Sequence, residues 1–539
     1  MTEHRELYYG VDRLATSGKR IFGWGWAADP VRAIDGITLR VKGDGWERRL
    51  PANHGLGRVD VKEAYPDLNN AESSGFVVTG YLPLRPVREL VLELGFGDGT
   101  TADVDITHVV ETRTSGQRKW RELRWLSHAV WRRLKRGDVR GILGRARAQN
   151  YLAPSLDDAS AGGGLLRRLR GGRPVCIVFD HNMGGGANVY RRAVIDERLA
   201  AGITVLLCTY NLPTLDYRLQ LYQTGESEQI LRVSSFLVLE EFLEQASVGE
   251  LFLNSPVSFD EPLLFAEWLA TMRAEHPKLR LTLALHDYFS VCPSFVLLNA
   301  EGRYCGIPDL AECAACLQRH QGTYLTLSPP TEIGPWRALW GRCLQVADEV
   351  RCFSESSRRL LARAYPALDP ARITVLPHRV DFVPARLPRP DHAAPMVVGI
   401  IGQISVQKGA LVVKEMVARI DHDHRDVRVV VIGTLDVAVD SRRLKVTGAY
   451  RRDDLVDLIE THGVNVLFFP SICPETFSYV TEEMIRLGLP IVAFDLGAPG
   501  ERLRNYADAR LCGEVSAAAA LATLIGFHDE LAAQQALTA

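Results

Sequence analysis

The apolar positions change rhythm along the chain. Up to about residue 112 they come in short alternating runs, IFGWGWA, GITLRVKG, GFVVTGYLPL and ELVLELGFGDGT, separated by Gly, Pro and Asp. A period of two puts successive side chains on opposite faces of a strand, so one face can be buried while the other is not. Residues 1–112 are therefore expected to form a small all-β sandwich. From 113 to 147 the spacing becomes helical. Trp120, Leu123, Leu126, Val130, Trp131 and Leu134 share one stripe, with Arg121, Arg124, Arg132, Lys135 and Arg136 on the other side. A glycine-rich break, AGGGLLRRLRGGRP, closes a linker spanning 113–173.

From Pro174 the apolar runs become continuous. PVCIVFD, ITVLLCTY, LFLNS, LRLTLAL, EVRCFS and RITVLP alternate with longer segments. Such runs suit strands buried on both faces and joined by crossover helices. A polar, Pro-bearing stretch, VPARLPRPDHAAP, separates this unit (174–390) from a second (391–539) built on MVVGIIG, VRVVVIG, VNVLFFP and IVAFD. The predicted fold class is α/β: two doubly wound Rossmann-like domains preceded by the all-β sandwich and a basic helical linker. In such sheets ligands bind beyond the carboxyl ends of the strands, which directs attention to the loops that follow them.

Composition adjusts this picture only at the edges. A chain of 539 residues is too long for one core, and 47% hydrophobic with 24% charged residues is ordinary for a globular protein. The net charge of -2 gives no reason to expect nucleic acid as a partner. Positive charge is concentrated in 113–147, where twelve Lys or Arg stand against Glu122 and Asp138. That segment either lies on an anionic membrane surface or packs its apolar stripe on a neighbouring domain. The start, MTEHRELYYG, lacks the features of a signal peptide, and no apolar run approaches the ~18 residues of a membrane span. The expected location is the cytoplasm, with peripheral contact at the cytoplasmic face of the inner membrane if 113–147 takes the first of these two roles.

Several stretches carry candidate chemistry. Trp24, Trp26 and Trp46 either offer a face for stacking sugars or fill the sandwich core. The turn Gly184-Gly185-Gly186-Ala187 follows a strand and opens a helix, so its amides can approach an anion. It matches neither the dinucleotide fingerprint nor the P-loop. GQISVQKG, from Gly402 to Gly409, repeats the arrangement and adds Lys408, the compact charge a diphosphate needs. PETFSYVTEEMIRLGLP then places Glu475 in a loop after Pro474 and Glu483 in the second turn of a helix. Carboxylates at such a place can accept from the vicinal hydroxyls of a ribose or sugar. His286 stands directly after the strand LRLTLAL, with Asp287 as a weaker companion. Cys292, Cys305, Cys313 and Cys316, spaced C-x12-C-x7-C-x2-C, either hold a structural zinc or are free or redox-active thiols.

From about Pro174 to its end the chain resembles the retaining glycosyltransferases of the GT-B fold, in particular family 4 (glycosyl transferases group 1). The resemblance rests on the Glu-x7-Glu pair Glu475 and Glu483, on Gly402, Lys408 and Gly409, and on the GGGAN turn. It implies transfer of a sugar from a UDP-, GDP- or dTDP-sugar to a glycan or lipid-linked oligosaccharide, with net retention, as in building a bacterial surface polysaccharide. By this resemblance Glu475, flanked by Thr476 and Phe477, holds the donor sugar with His286 close by, and Glu483 holds the ribose. Gly185, Gly186, Gly402, Gln403 and Lys408 would receive the diphosphate. No metal is needed for the chemistry, so Asp103, Asp105, Asp421 and Asp423 are given no ligand role, and any zinc would only brace a loop on the acceptor side.

Two departures qualify the resemblance. Gln403 stands where many members carry Arg, and the usual Pro-Asn-Gly-hydrophobic-Asp segment reads Pro377, His378, Arg379, Val380, Asp381. They leave open a non-catalytic scaffold or binding subunit of a glycan-assembly complex, and an epimerase acting on the nucleotide sugar.

Overall fold

A computed structural model describes residues 7–112, 159–169 and 174–538, apart from 18–19, 57, 69, 83–85, 110, 213, 226–228, 234–235, 245, 321–331, 381, 383 and 424. The amphipathic segment expected at 113–147 lies outside these residues.

The period-two region is a two-sheet sandwich. One sheet runs Asn53–Leu56, Gly75–Tyr81, Arg20–Ala28, Tyr8–Ser17, Glu111–Thr112; the other runs Trp46–Pro51, Ile34–Gly43, Val87–Phe96, Thr101–Asp105. Ile37, Leu39 and Val41, alternate residues of one strand, meet Ile21, Phe76 and Val78 of the facing sheet in a common core. The three tryptophans are half-buried. Trp46 packs on this core. Trp24 and Trp26 point the other way, Trp24 against Phe22 and Trp26 against Tyr65, at 5.7 and 5.5 Å between ring centres.

The first α/β unit is built on an eight-stranded sheet. Val175–His181 and Thr204–Asn211 are buried along their whole length, as the continuous apolar runs require. The order is Gln229–Val233, Asp216–Tyr222, Thr204–Asn211, Val175–His181, Glu250–Leu253, Arg280–Ala284, Glu349–Cys352, Ile373–Val375. The first two strands pair antiparallel, an edge the sequence reading did not contain. The connection from Asn211 to Asp216 is too short for a crossover, so the chain must turn back on itself. Asp216 then takes the Arg232 guanidinium, Nε to Oδ2 at 2.7 Å, which keeps two charges paired inside the edge.

The second unit has a six-stranded parallel sheet in the order Leu444–Val446, Val427–Leu435, Met396–Ile404, Val466–Phe469, Ile491–Phe494, Ala509–Cys512. Leu387, from the stretch read as a linker, is buried in its core. In each unit the first strand lies inside the sheet. The chain adds strands on one side and then crosses to the other, so strand order reverses next to Val175–His181 and next to Met396–Ile404. Both glycine turns therefore sit at topological switch points, where a crevice opens.

The two units touch directly. Glu501 accepts the backbone N–H groups of Glu355 (3.1 Å) and Ser356 (2.5 Å) at the start of the Glu355–Ala364 helix, and Thr476 Oγ1 donates to the His286 carbonyl at 2.9 Å. Among the described residues, no helix is long and apolar enough to cross a membrane.

Candidate functional site

The first glycine turn is shaped from behind. Gly184 and Gly185 both have φ of +86°, a conformation open to glycine at little cost. Asn188, at the start of the Gly186–Ala200 helix, accepts the Gly184 N–H through Oδ1 at 2.7 Å. Its Nδ2 donates to Asp180 Oδ2 (2.8 Å) and to the His181 carbonyl (3.0 Å). Asp180 is fully buried and also receives Arg191 Nη1 at 3.0 Å. The front of the turn is open: a Cβ on Gly184 or Gly185 would meet nothing within 4 Å. Gly186 differs, because a Cβ there would lie 3.1 Å from the Tyr479 ring of the second unit.

The second turn follows Met396–Ile404 and runs through a short helical turn, Val406–Lys408, into the Ala410–His422 helix. Gly409 (φ +89°) is required by packing, since a Cβ would collide with the Pro470 carbonyl. Lys408 is half exposed, and its Nζ lies 3.9 Å from Glu475 Oε1, too far for a hydrogen bond. Glu475 is held by its backbone, its N–H on the Cys473 carbonyl (3.0 Å) and its carbonyl accepting from Ala498 (2.8 Å). Its Oε1 is buried and accepts no hydrogen bond among the described residues. Gln403 hydrogen-bonds Asp436, whose carboxyl burial pushes above the usual range while that bond pulls it back.

These groups surround one cavity of about 450 Å³ between the units, within the size range of small-molecule sites. Met183, Gly184 and Gly185 line it from the first unit. Gly402, Gln403, the Ser405-to-Lys408 turn, Asp436, Glu475 and Val480 line it from the second. Leu56 of the sandwich completes the lining.

The remaining expected residues do not line this cavity. Glu483 occupies the second turn of the Tyr479–Leu487 helix, as its spacing implies, but it is only 3% exposed and faces Arg452, whose Nε is 3.4 Å away. Burial raises its carboxyl pKa, with Arg452 and Arg486 opposing. Phe477 stacks on His378 at 4.5 Å, and Thr476 is spent on the His286 carbonyl.

His286 lies in the same interface, its ring 4.4 Å from Phe353 and 5.0 Å from Tyr190. Its Nε2 is 2.9 Å from Asn254 Oδ1, while Asn254 Nδ2 donates to the Ala187 carbonyl at 3.0 Å. The amide oxygen must accept, so Nε2 carries the proton and Nδ1 is left as an acceptor. Burial holds the ring neutral, with a pKa well below its ordinary value, and His378 and His181 add repulsion. His378 is pushed by burial down to about 3.

Sequence reasoning missed Asn188, Arg191, Asn254 and Asp436. Asn188 lay within the quoted GGGAN stretch, and Asp436 follows the strand VRVVVIG at its carboxyl end, so both stood where a signal was readable. Arg191 offered none because it turns back to Asp180 and His181 on the preceding strand, and Asn254 offered none because its partners, Ala187 and His286, are far along the chain.

Of the four cysteines, Cys292 and Cys305 stand in the loop after His286 and Cys313 and Cys316 on the Leu310–Arg319 helix, and all are free thiols. Among the described residues, no three His, Cys, Asp or Glu side chains group as metal ligands. The Cys313 thiol lies 3.7 Å from the Pro308 carbonyl, and Arg337 Nη2 lies 3.7 Å from its sulfur. Burial pushes Cys292 up to about 12.

Known proteins add the following. The chain is similar to Alr3699/HepE of Anabaena, solved in complex with UDP-glucose, at 14% identity over 67% of this chain and 94% of that one, with a TM-score of 0.39. It is similar to sucrose-phosphate synthase of Thermosynechococcus elongatus at 14% identity, over 67% and 94% of the two chains, with a TM-score of 0.42. The lipopolysaccharide outer core galactosyltransferase WaaB, in its apo form, gives 12% identity over 67% and 94%, with a TM-score of 0.41. No curated protein matches the chain. Residues 395–526, the part of the second α/β unit that brings Lys408 and Glu475 to the cavity, match the family model of the glycosyl transferases group 1.

Proposed function

We propose that the chain is a glycosyltransferase that moves a hexose from a nucleoside-diphosphate sugar to a glycan or lipid-linked glycan, with net retention. The supporting observation is the pairing of Lys408 with Glu475 across one cavity from the open Gly184–Gly185 turn. The donor's diphosphate enters between that turn and Lys408. As the sugar–phosphate bond breaks, charge grows on the departing phosphate, and Lys408 with the two helix N-termini stabilises it. Glu475 Oε1, buried beside the cavity, accepts a hydroxyl of the sugar. His286 supplies a neutral acceptor nitrogen from the interface behind it, and Glu483, with Arg452, marks the ribose end. The biological setting proposed is surface-polysaccharide synthesis at the cytoplasmic face of a membrane, with UDP-, GDP- or dTDP-sugar as donor.

The test is an assay of hydrolysis and transfer across a panel of nucleotide sugars, with the anomeric configuration of the product read by NMR. One donor should be consumed with acceptor-dependent, configuration-retaining product, and Lys408→Ala and Glu475→Gln should lower the rate steeply. Unchanged turnover in both variants removes the site assignment. Tight binding without turnover would mark a scaffold subunit, to which the engagement of Gln403 by Asp436 lends some support. An altered free sugar released without acceptor would mark an epimerase.

A further inference from the structure

The sandwich reaches the cavity. Strand Arg20–Ala28 turns Ile21 into the sandwich core and carries Phe22, Trp24 and Trp26 on the opposite face of its sheet. An aromatic stripe on the outside of a sheet is a docking surface waiting for a partner. Phe22 has found one, because it packs against the core of the first α/β unit. The same sheet ends at Asn53–Leu56, its edge strand. Edges with unpaired backbone are normally blunted or covered, and this one is turned towards the cleft, where Leu56 joins Met183 and Gly184 in the cavity wall.

The tip is held in place. The register slips between His54 and Leu56, with Gly55 at φ +79°, so a bulge re-aims the strand before Leu56. Just beyond it Arg58 pairs with Asp12 at 2.7 Å, and its N–H donates to the Glu72 carbonyl at 2.8 Å.

If the chain is the glycosyltransferase proposed above, this position has a chemical consequence. We propose that the N-terminal sandwich is the third wall of the donor cavity, and that Leu56 shields the bound nucleoside-diphosphate sugar from water. Water and the acceptor hydroxyl compete for the same carbon. In either case the bond from the sugar's anomeric carbon to the phosphate oxygen breaks, and the nucleoside diphosphate leaves with the electron pair. A new carbon–oxygen bond forms, and the attacking hydroxyl's proton is released. An apolar side chain at the mouth favours transfer by keeping solvent out.

The experiment measures, on the full chain, donor hydrolysis without acceptor and transfer with acceptor, in the parent, Leu56→Asp, Leu56→Met and Phe22→Ser. The ratio of the two rates does not depend on the fraction of folded protein, so a partly unfolded variant remains readable. Leu56→Asp should raise hydrolysis over transfer by roughly tenfold, the size expected for losing much of one Leu contact. Leu56→Met should keep the parent's ratio, and Phe22→Ser, remote from the cavity, should shift it in the same direction as Leu56→Asp by loosening the dock. A parent-like ratio in Leu56→Asp overturns the inference while leaving the glycosyltransferase reading intact. A parent that binds none of UDP, GDP, ADP and dTDP overturns the reading itself.

Discussion

The two glycine turns occupy the same topological place in their units and are made of different materials. At Gly184–Gly185 the backbone supplies the site, and the side chains that shape it, Asp180, Asn188 and Arg191, stand behind the turn. At Gly402–Gly409 the front of the turn carries a cation, Lys408, with the Glu475 carboxylate 3.9 Å away, and the closing glycine serves the packing on Pro470. Preset amides come from one unit and an exposed charge from the other. Both line one cavity, so its walls depend on how the units meet.

If charge is confined to the second turn, its removal should have the largest effect. Lys408→Ala should lower kcat by about 10²–10³, the cost of deleting one donor aimed at developing negative charge. The glycines should separate next. Gly409→Ala should cost about 2–3 kcal/mol of stability in urea denaturation through overpacking and backbone strain. Gly185→Ala, with open space in front of it, should cost less stability but more nucleotide affinity; the reverse order would erase the distinction between the turns.

Asn188→Ala tests the support behind the first turn. It frees the Gly184 N–H and removes one partner of buried Asp180, and should weaken nucleotide binding by about 1–2 kcal/mol with kcat less affected. A further effect, on stability rather than turnover, concerns the interface holding both turns in register. His286 and His378 have pKa values pushed below the ordinary 6.5, so the unfolded chain binds more protons than the folded one once pH falls beneath that value. Their contribution is whole above about pH 6.5 and declines as pH falls towards the His378 value of about 3, by up to about 1.4 kcal/mol per pH unit for each group. Denaturation at pH 7 and pH 5 should show the loss, and His378→Phe should flatten it.

How much of this was legible follows physical range. The sandwich and the parallel strands were readable because period-two and continuous apolar runs are local signals. Lys408 and Glu475 were readable because each stands in the loop that follows a strand. The Asp216–Tyr222 and Gln229–Val233 pair was not, since Asp216 and Arg232 look like surface residues until they are seen to neutralise each other. Glu483 and His286 were placed correctly on their elements, yet the wall each faces is set by Arg452 and by Phe353, Tyr190 and His378. The cysteine spacing left zinc and free thiols open, and it gave no sign of Arg337, which reaches Cys313 from a later helix.

The central claim is that Lys408 and the Gly184–Gly185 amides grip one diphosphate between the two units. Titration calorimetry of the full chain with UDP, GDP, ADP and dTDP, repeated on Lys408→Ala and Gly185→Ala, tests it directly. One nucleotide should bind to the parent and bind at least roughly tenfold more weakly to each variant, as expected for losing a charged or a geometrically set partner. No binding by the parent, or binding that neither substitution changes, would contradict it.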